Sequence, residues 1–233
     1  MAKRLADIEK IVQDSNCRFV DYLKVNFNKS VFDLLDTLSM VSTPYIFSGV
    51  IRNFFLKISE NRDLDLFLDG DFDILPIIEG YSYKQNSFGG YKVSIEGTNI
   101  DLWFLKDTWA INNSQISLDM ELARYIPQTA FFNFSSVIYS LNDGRFIYTK
   151  HFLRFLRDKQ INIVYTPNAN YALCIVNTFY YSDKLKLNIG EKLRNHIKKI
   201  ASNNINYTDQ AQEKHFGEIL YSMDELKKKI DEL

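Results

Sequence analysis

Leu5, Ile8, Ile11 and Val12 recur every three or four positions, and so do Phe32, Leu34, Leu35, Leu38 and Met40. That is the period of an amphipathic helix, so the chain from about residue 3 to 42 is predicted to be helical. Asn28 or Ser30 supplies an N-cap for the later helix, and Pro44 ends it. The pattern then changes. Tyr45-Ile46-Phe47 reads as a short buried strand, Ser48-Gly49 as a turn, and Val50 to Leu56 as a helix. Arg62 to Leu68 alternates polar and apolar, the period of a strand. Asp69-Gly70 breaks it, and 71–79 reads as a short helix. Runs 81–86, 90–96 and 99–105 read as strands, separated by Gly89-Gly90 and Gly97. Further on, 131–140 and 145–148 read as strands around the turn Asn142-Asp143-Gly144. From 149 the period is helical, over 151–157, 171–181, 191–201 and 209–233.

Helices, then strands, then helices predict an α+β fold: a mixed sheet with flanking helices, followed by a mostly helical C-terminal region. The expected division is N-terminal helices over 1–43, a sheet domain over 44–148 with a soft boundary at 110–150, and a helical region over 149–233.

Composition changes this picture little. At 233 residues the chain is long enough to bury a real core. Aromatic content is high, with 18 Phe and 14 Tyr, while Gly and Pro are scarce, which argues against repeats and long linkers. Cys17 and Cys174 lie far apart in apolar surroundings and read as reduced, buried thiols of a cytosolic protein. The segment Met1 to Val12 has no long apolar run, so neither a signal peptide nor a membrane span is expected. Net charge is close to zero, but unevenly spread. Between 143 and 200 stand eleven Lys and Arg against four acids. Such a region suits a polyanion such as RNA; solvated lysine-rich helix faces explain it equally well.

The chemistry lies in the acids. In a strand, Asp63 and Asp65 project from one face while Leu64, Leu66 and Leu68 take the other. Paired carboxylates repel, and one takes up a proton unless a cation lies between them. Mg²⁺ suits such a pair, because it takes one or two carboxylates and completes its shell with phosphates. Asp101 sits in a similar run, Asn99 to Phe104. If that strand neighbours the first, three carboxylates converge, enough for two metals about 4 Å apart, as phosphoryl transfer uses. Upstream, the Ser48-Gly49 turn precedes a helix whose N-terminal N–H groups suit phosphate, and Arg52 stands one turn further on.

Tyr45 to Asn53, with thirteen residues from Val50 to Arg62 leading to Asp63-Leu64-Asp65-Leu66, resembles the DNA polymerase beta nucleotidyltransferase superfamily. Within it the chain looks most like the head domain of CCA-adding enzymes and bacterial poly(A) polymerases, over 44–68 and more loosely over 82–110. The resemblance implies an Mg²⁺-dependent enzyme with two ions, Mn²⁺ being the alternative. It implies a nucleoside triphosphate such as ATP as donor and an RNA end, tRNA above all, as acceptor. Asp63, Asp65 and Asp101 would be catalytic metal ligands, and Ser48, Gly49 and Arg52 would hold the triphosphate. The chain departs from the pattern at Ser48 (Gly in the family), at Asn53 (an acid) and at Gln128-Thr129, where the family has an Arg-Asp pair that helps recognise the ribose. The acidic, arginine-bearing motif that reads the base is missing from 168–177.

Several residues have simpler readings. Asp69, Asp71 and Asp73 read as a solvated turn, Gly89-Gly90 as a hairpin, Lys92 as an exposed strand lysine, and Asp107 as a competitor of Asp101. Tyr171, Phe179, Tyr180 and Tyr181 read as core rather than stacking surfaces, and His151, His196 and His215 as bystanders. Besides an RNA acceptor, two further readings remain: a small-molecule or protein acceptor, and a degenerate nucleotide- or RNA-binding protein.

Overall fold

The computed structural model describes residues 4–59, 61, 63–86, 89–113 and 121–233. Three helices open the described chain: α1 (Leu5–Gln13), α2 (Asn16–Asn26) and α3 (Lys29–Val41). The Asn28 side chain caps α3 by accepting from the Val31 N–H at 3.0 Å. Strand β1 (Thr43–Phe47) follows, then α4 (Gly49–Leu56), β2 (Asp63–Asp69), α5 (Leu75–Ile78), β3 (Ser82–Gln85), β4 (Tyr91–Ile95) and β5 (Thr98–Phe104). Arg62, expected at the start of the β2 strand, lies outside the described residues.

After β5 come α6 (Trp109–Asn113), α7 (Ile126–Thr129), β6 (Val137–Ser140) and β7 (Arg145–Tyr148). The C-terminal region holds α8 (Lys150–Asp158), β8 (Gln160–Ile161), α9 (Tyr171–Leu185), β9 (Asn188–Ile189), α10 (Glu191–Asn204), α11 (Thr208–Phe216) and α12 (Met223–Asp231). Two expectations need correcting. Asn133–Ser135 is a 3₁₀ turn, so the strand expected over 131–140 begins only at Val137. The helix expected over 209–233 is broken, because Gly217 takes φ 79° and caps α11 in the left-handed region.

The sheet has seven strands in the order β3-β4-β5-β2-β1-β6-β7. It is mixed: β2 and β5 run parallel, while the other neighbouring pairs run antiparallel. One face carries Ile46, Leu64, Leu66, Leu68, Ile100, Leu102, Val137 and Tyr139 into a continuous core with α1–α3 and the C-terminal helices. Much of the aromatic content goes here; Phe19, for instance, packs on Phe54, Tyr139 and Phe146 with ring centroids 4.8–5.2 Å apart. With Leu66 fully buried, Leu66→Ala is expected to cost about 3 kcal/mol of stability. The opposite face builds a smaller cluster from Tyr45, Phe67, Leu105, Ala123, Ile126 and Ile138. That face is only partly covered, and it carries the acids.

Cys174 is buried, as expected, and burial pushes its thiol pKa up to about 12. Cys17 is exposed instead. On α2, Phe19 and Leu23 stand four apart and take the inward face, so Cys17, two positions from Phe19, points to solvent. No described helix is long and apolar enough to cross a membrane.

Candidate active site

Strand register brings the acids together. Asp65 on β2 pairs with Asp101 on the parallel strand β5, and Asp63 pairs with Asn99. On the other side, Asp65 pairs with Phe47 of β1, the last residue before the Ser48 turn. Asp101 in turn lies opposite Lys92 of β4. A single row therefore crosses the sheet as Lys84, Lys92, Asp101, Asp65 and Phe47, all on one face. Asp107, the competitor of Asp101, ends a 3₁₀ turn beyond β5 and is outside this row. Asp71 is tied to Lys106, and Asp73 accepts from the Leu75 N–H at 3.0 Å, as solvated turn residues do.

The electrostatics follow from the register. Asp65 is half-buried, with its carboxyl densely surrounded. Burial, Asp101 and Asp63 together raise its pKa from 3.8 to about 7; Lys92 and Arg52 pull it down, but not enough. Asp101 is raised as well, by burial and by Asp63, against the opposing charge of Lys92, whose Nζ stands 3.6 Å from Asp101 Oδ2. Asp63 Oδ1 accepts from Asn99 Nδ2 at 3.1 Å. Among the described residues, no three His, Cys, Asp or Glu side chains close around one point as a ready-made metal cage. The donor set nonetheless fits a divalent cation. It consists of hard carboxylate oxygens, the ligands of Mg²⁺ and Mn²⁺, and Asp65 is short of positive charge.

The Ser48-Gly49 turn is strained. Ser48 takes φ 42° and ψ −85°, a conformation that disfavours any side chain. Two contacts hold it there: its hydroxyl is 2.6 Å from that of Ser135, and its carbonyl accepts the Arg52 N–H at 2.8 Å. Such strain costs about 1–3 kcal/mol and is often found where a backbone must meet a ligand. Gly49 opens α4 beside the acids; a Cβ built there would lie 3.9 Å from Asp65 Oδ2, in ordinary contact. Because glycine relieves the strain and alanine does not, Ser48→Gly is expected to be more stable than Ser48→Ala by about 1 kcal/mol in urea unfolding. Equal stability of the two variants would refute the strain argument.

Arg52 is buried, with 7% of its surface exposed. Its Nε and one terminal nitrogen donate to Asn53 Oδ1 at 3.1 and 2.9 Å, and its guanidinium lies 5.4 Å from the Phe134 ring and 5.1 Å from the Tyr181 ring. Asn53 donates to Asn61, which donates to Tyr22 and Asn26. No carboxylate within salt-bridge distance neutralises Arg52 among the described residues. A buried cation without a carboxylate partner is costly unless an anion visits it.

Beside the acids, on the same face, lies a cleft of about 400 Å³ lined by Phe47, Phe67, Trp103, Trp109, Phe131 and Asn168, among others. Both tryptophans of the chain stand in it. This cleft could not be read from the sequence, because its lining comes from segments far apart in the chain. Gln128 and Thr129, at the ribose-reading positions, bond back to Arg124 O and Ile126 O of their own turn. Asn133 is structural: its amide donates to Gln160 O, and its Oδ1 accepts from the Asn162 N–H, both at 2.9 Å. His215 of α11 has its pKa lowered by burial and by the charge of Lys92.

A CCA-adding enzyme with CTP superimposes on 91% of this chain with a TM-score of 0.65 at 15% identity. The chain shares its fold with about half of that CCA-adding enzyme. The Thermotoga maritima CCA-adding enzyme complexed with tRNA gives a TM-score of 0.62 over 91% of the chain, at 15% identity. The apo form of a tRNA-processing enzyme gives 0.59 over 88%, at 16% identity. These matches cover 54%, 53% and 57% of the respective structures, so the chain spans about half the length of the CCA-adding enzymes it resembles. No protein family's sequence model matches the chain, and no curated protein does so either. The likeness to CCA-adding enzymes is therefore carried by three-dimensional structure.

Proposed function

We propose that this protein is a divalent-cation-dependent nucleotidyltransferase that moves a nucleotide from a nucleoside triphosphate to the end of an RNA, with tRNA as the favoured acceptor. The observation that carries the reading is the register of Asp65 against Asp101, with Asp63 alongside, next to the N-terminus of α4. Solved structures of the same fold are described with CTP and with tRNA, which supports both substrate classes. The basic stretch 143–200 would hold the RNA backbone by charge.

In this reading the triphosphate lies against the N–H groups that open α4, with Ser48, Gly49 and Arg52 around it. Mg²⁺ or Mn²⁺ held by Asp63, Asp65 and Asp101 would neutralise the triphosphate and the departing pyrophosphate. The acceptor hydroxyl attacks the α-phosphorus. A new O–P bond forms, the bond to the bridging oxygen breaks, and pyrophosphate leaves. Asp101 takes the hydroxyl proton. Gly49→Ala, whose methyl would stand in ordinary contact with Asp65 at the N–H groups that open α4, is expected to fold normally and to weaken triphosphate binding about tenfold.

The test is to incubate the protein with each α-labelled nucleoside triphosphate, Mg²⁺ and total RNA. Label should move to RNA, and Asp63→Ala and Asp65→Ala should abolish the transfer. If no label moves to RNA, protein or small molecule, and the two variants behave as wild type in triphosphate binding, the reading fails. A small-molecule acceptor is the second reading, favoured by the aromatic cleft. Weak retention on a tRNA column together with label on a small molecule would select it. The altered ribose and base positions favour a third, a nucleotide-binding protein without turnover. Mg²⁺-dependent binding with no product would select that one.

The cleft makes a separate prediction. Because it contains Trp103 and Trp109, a ligand entering it should change the intrinsic fluorescence by about a third or more, in either direction. Trp109→Phe should keep part of that response, and Trp103→Phe/Trp109→Phe should lose it. A nucleotide that binds without any fluorescence change would place its base elsewhere.

A further inference from the structure

The cationic end of the cross-sheet row has no counterpart in the motif that gave the three acids. Lys84 and Lys92 are direct cross-strand partners on β3 and β4, and both are exposed. Like charges directly opposite on antiparallel strands are destabilising, so this pairing is not a device of stability. Lys92 lies between Lys84 and Asp101 in register, and its Nζ reaches Asp101 Oδ2 at 3.6 Å. The side chain of Lys92 is 53% exposed and that of Asp101 28%, so the pair stands at the open edge of the site rather than in the core.

The three acids are therefore not equivalent. Asp65 faces Gly49 and the opening of α4, the phosphate side, with Asp63 beside it in the same strand. Asp101 is one strand further away, with Lys92 Nζ 3.6 Å from its Oδ2. We propose that Lys92 takes the place of the second metal ion. The site then loads one divalent cation, on Asp63 and Asp65, while the Lys92 ammonium supplies the positive charge at Asp101. Lysine is a compact point charge on a flexible stem, so it can hold Asp101 in the resting protein and turn toward a phosphate oxygen when the triphosphate arrives. Lys84 adds a second positive charge behind it. This inference rests on the nucleotidyltransferase reading, and it replaces two expected ions by one.

The test counts metal directly. Wild type, Lys92→Met and Lys92→Arg are titrated with Mn²⁺ in the presence of inorganic tripolyphosphate, and free Mn²⁺ is followed by electron paramagnetic resonance. Tripolyphosphate alone provides the blank. After subtraction, wild type and Lys92→Arg should each bind one Mn²⁺ per chain, and Lys92→Met should bind two. In transfer assays the Mg²⁺ dependence should then be hyperbolic for wild type and sigmoidal for Lys92→Met. Two Mn²⁺ ions on wild type, or one on Lys92→Met, would overturn the proposal while leaving the nucleotidyltransferase reading in place. No Mn²⁺ on any of the three proteins would overturn both. Because Lys92 is exposed, its variants should melt within about 2 °C of wild type, which keeps the metal count interpretable.

Discussion

Asp65→Asn is expected to stabilise the metal-free protein at pH 8 while abolishing nucleotide transfer. Burial, and then the charges of Asp101 and Asp63, raise the Asp65 pKa from 3.8 to about 7. The folded protein therefore binds more protons than the unfolded chain between about pH 4 and pH 7, and its stability falls as pH rises through that window. Below pH 4 the group is protonated in both states and imposes no penalty. Above pH 7 the full penalty applies. At about 1.4 kcal/mol per pH unit the shift corresponds to roughly 4 kcal/mol, an upper limit because the carboxylate keeps some contact with solvent. Asparagine has nearly the same shape and no charge, so at pH 8 the variant should melt several degrees above wild type, and at pH 4 the two should coincide. Mg²⁺ with tripolyphosphate should raise the wild-type midpoint more at pH 8 than at pH 5, and should leave Asp65→Asn unmoved. Thermal melts across this pH range check all three statements. Equal midpoints for wild type and variant at pH 8 would mean that Asp65 carries no such stress.

Arg52→Met is expected to lose both stability and triphosphate affinity. The guanidinium is buried, lies against the Phe134 and Tyr181 rings, and satisfies Asn53 Oδ1 with two donors. Methionine fills much of the volume but gives up both guanidinium donors to Asn53 Oδ1, at the head of the Asn53-Asn61-Tyr22 chain, a loss of about 2 kcal/mol. It also removes a positive charge that lowers the Asp65 pKa, so the protonation stress described above should grow. Tripolyphosphate affinity should fall at least about tenfold, the usual worth of one charge-assisted contact. Arg52→Lys keeps the charge but not the planar fork, so it should recover part of the affinity and little of the stability. Urea unfolding and calorimetric titration separate the two effects. Unchanged affinity in Arg52→Met would make Arg52 purely structural.

Features set by residues close together in the sequence were legible in it, and those set by distant residues were not. Asp63 and Asp65 are two apart, so a strand period of two puts both on one face, and β2 does so. The Ser48-Gly49 turn adjoins β1 and was equally local. Asp101 is different: its place beside Asp65 depends on β5 running parallel to β2 after the β3-β4 hairpin, a pairing that no local pattern encodes. The Lys92–Asp101 contact depends on one further strand. Arg52 was expected to reach phosphate, but its burial between Phe134 and Tyr181 requires residues more than eighty positions away. Errors arose where one local signal hid another. The Phe-rich run 131–134 looks like a strand, yet Asn133 bonds to the 160–162 segment and turns the backbone. Apolar neighbours made Cys17 look buried, but the helix period sets it on the outer side of α2.

In the proposed function, the opening of α4 and the Asp63–Asp65 pair together hold a metal-bound triphosphate. The most direct measurement is anomalous diffraction from crystals soaked in Mn²⁺ with a non-hydrolysable nucleoside triphosphate. A Mn²⁺ peak bridging Asp63 and Asp65, with phosphate density against the N–H groups of Gly49 and Val50, is the predicted result. Triphosphate density away from α4, or Mn²⁺ bound without contact to either aspartate, would contradict it.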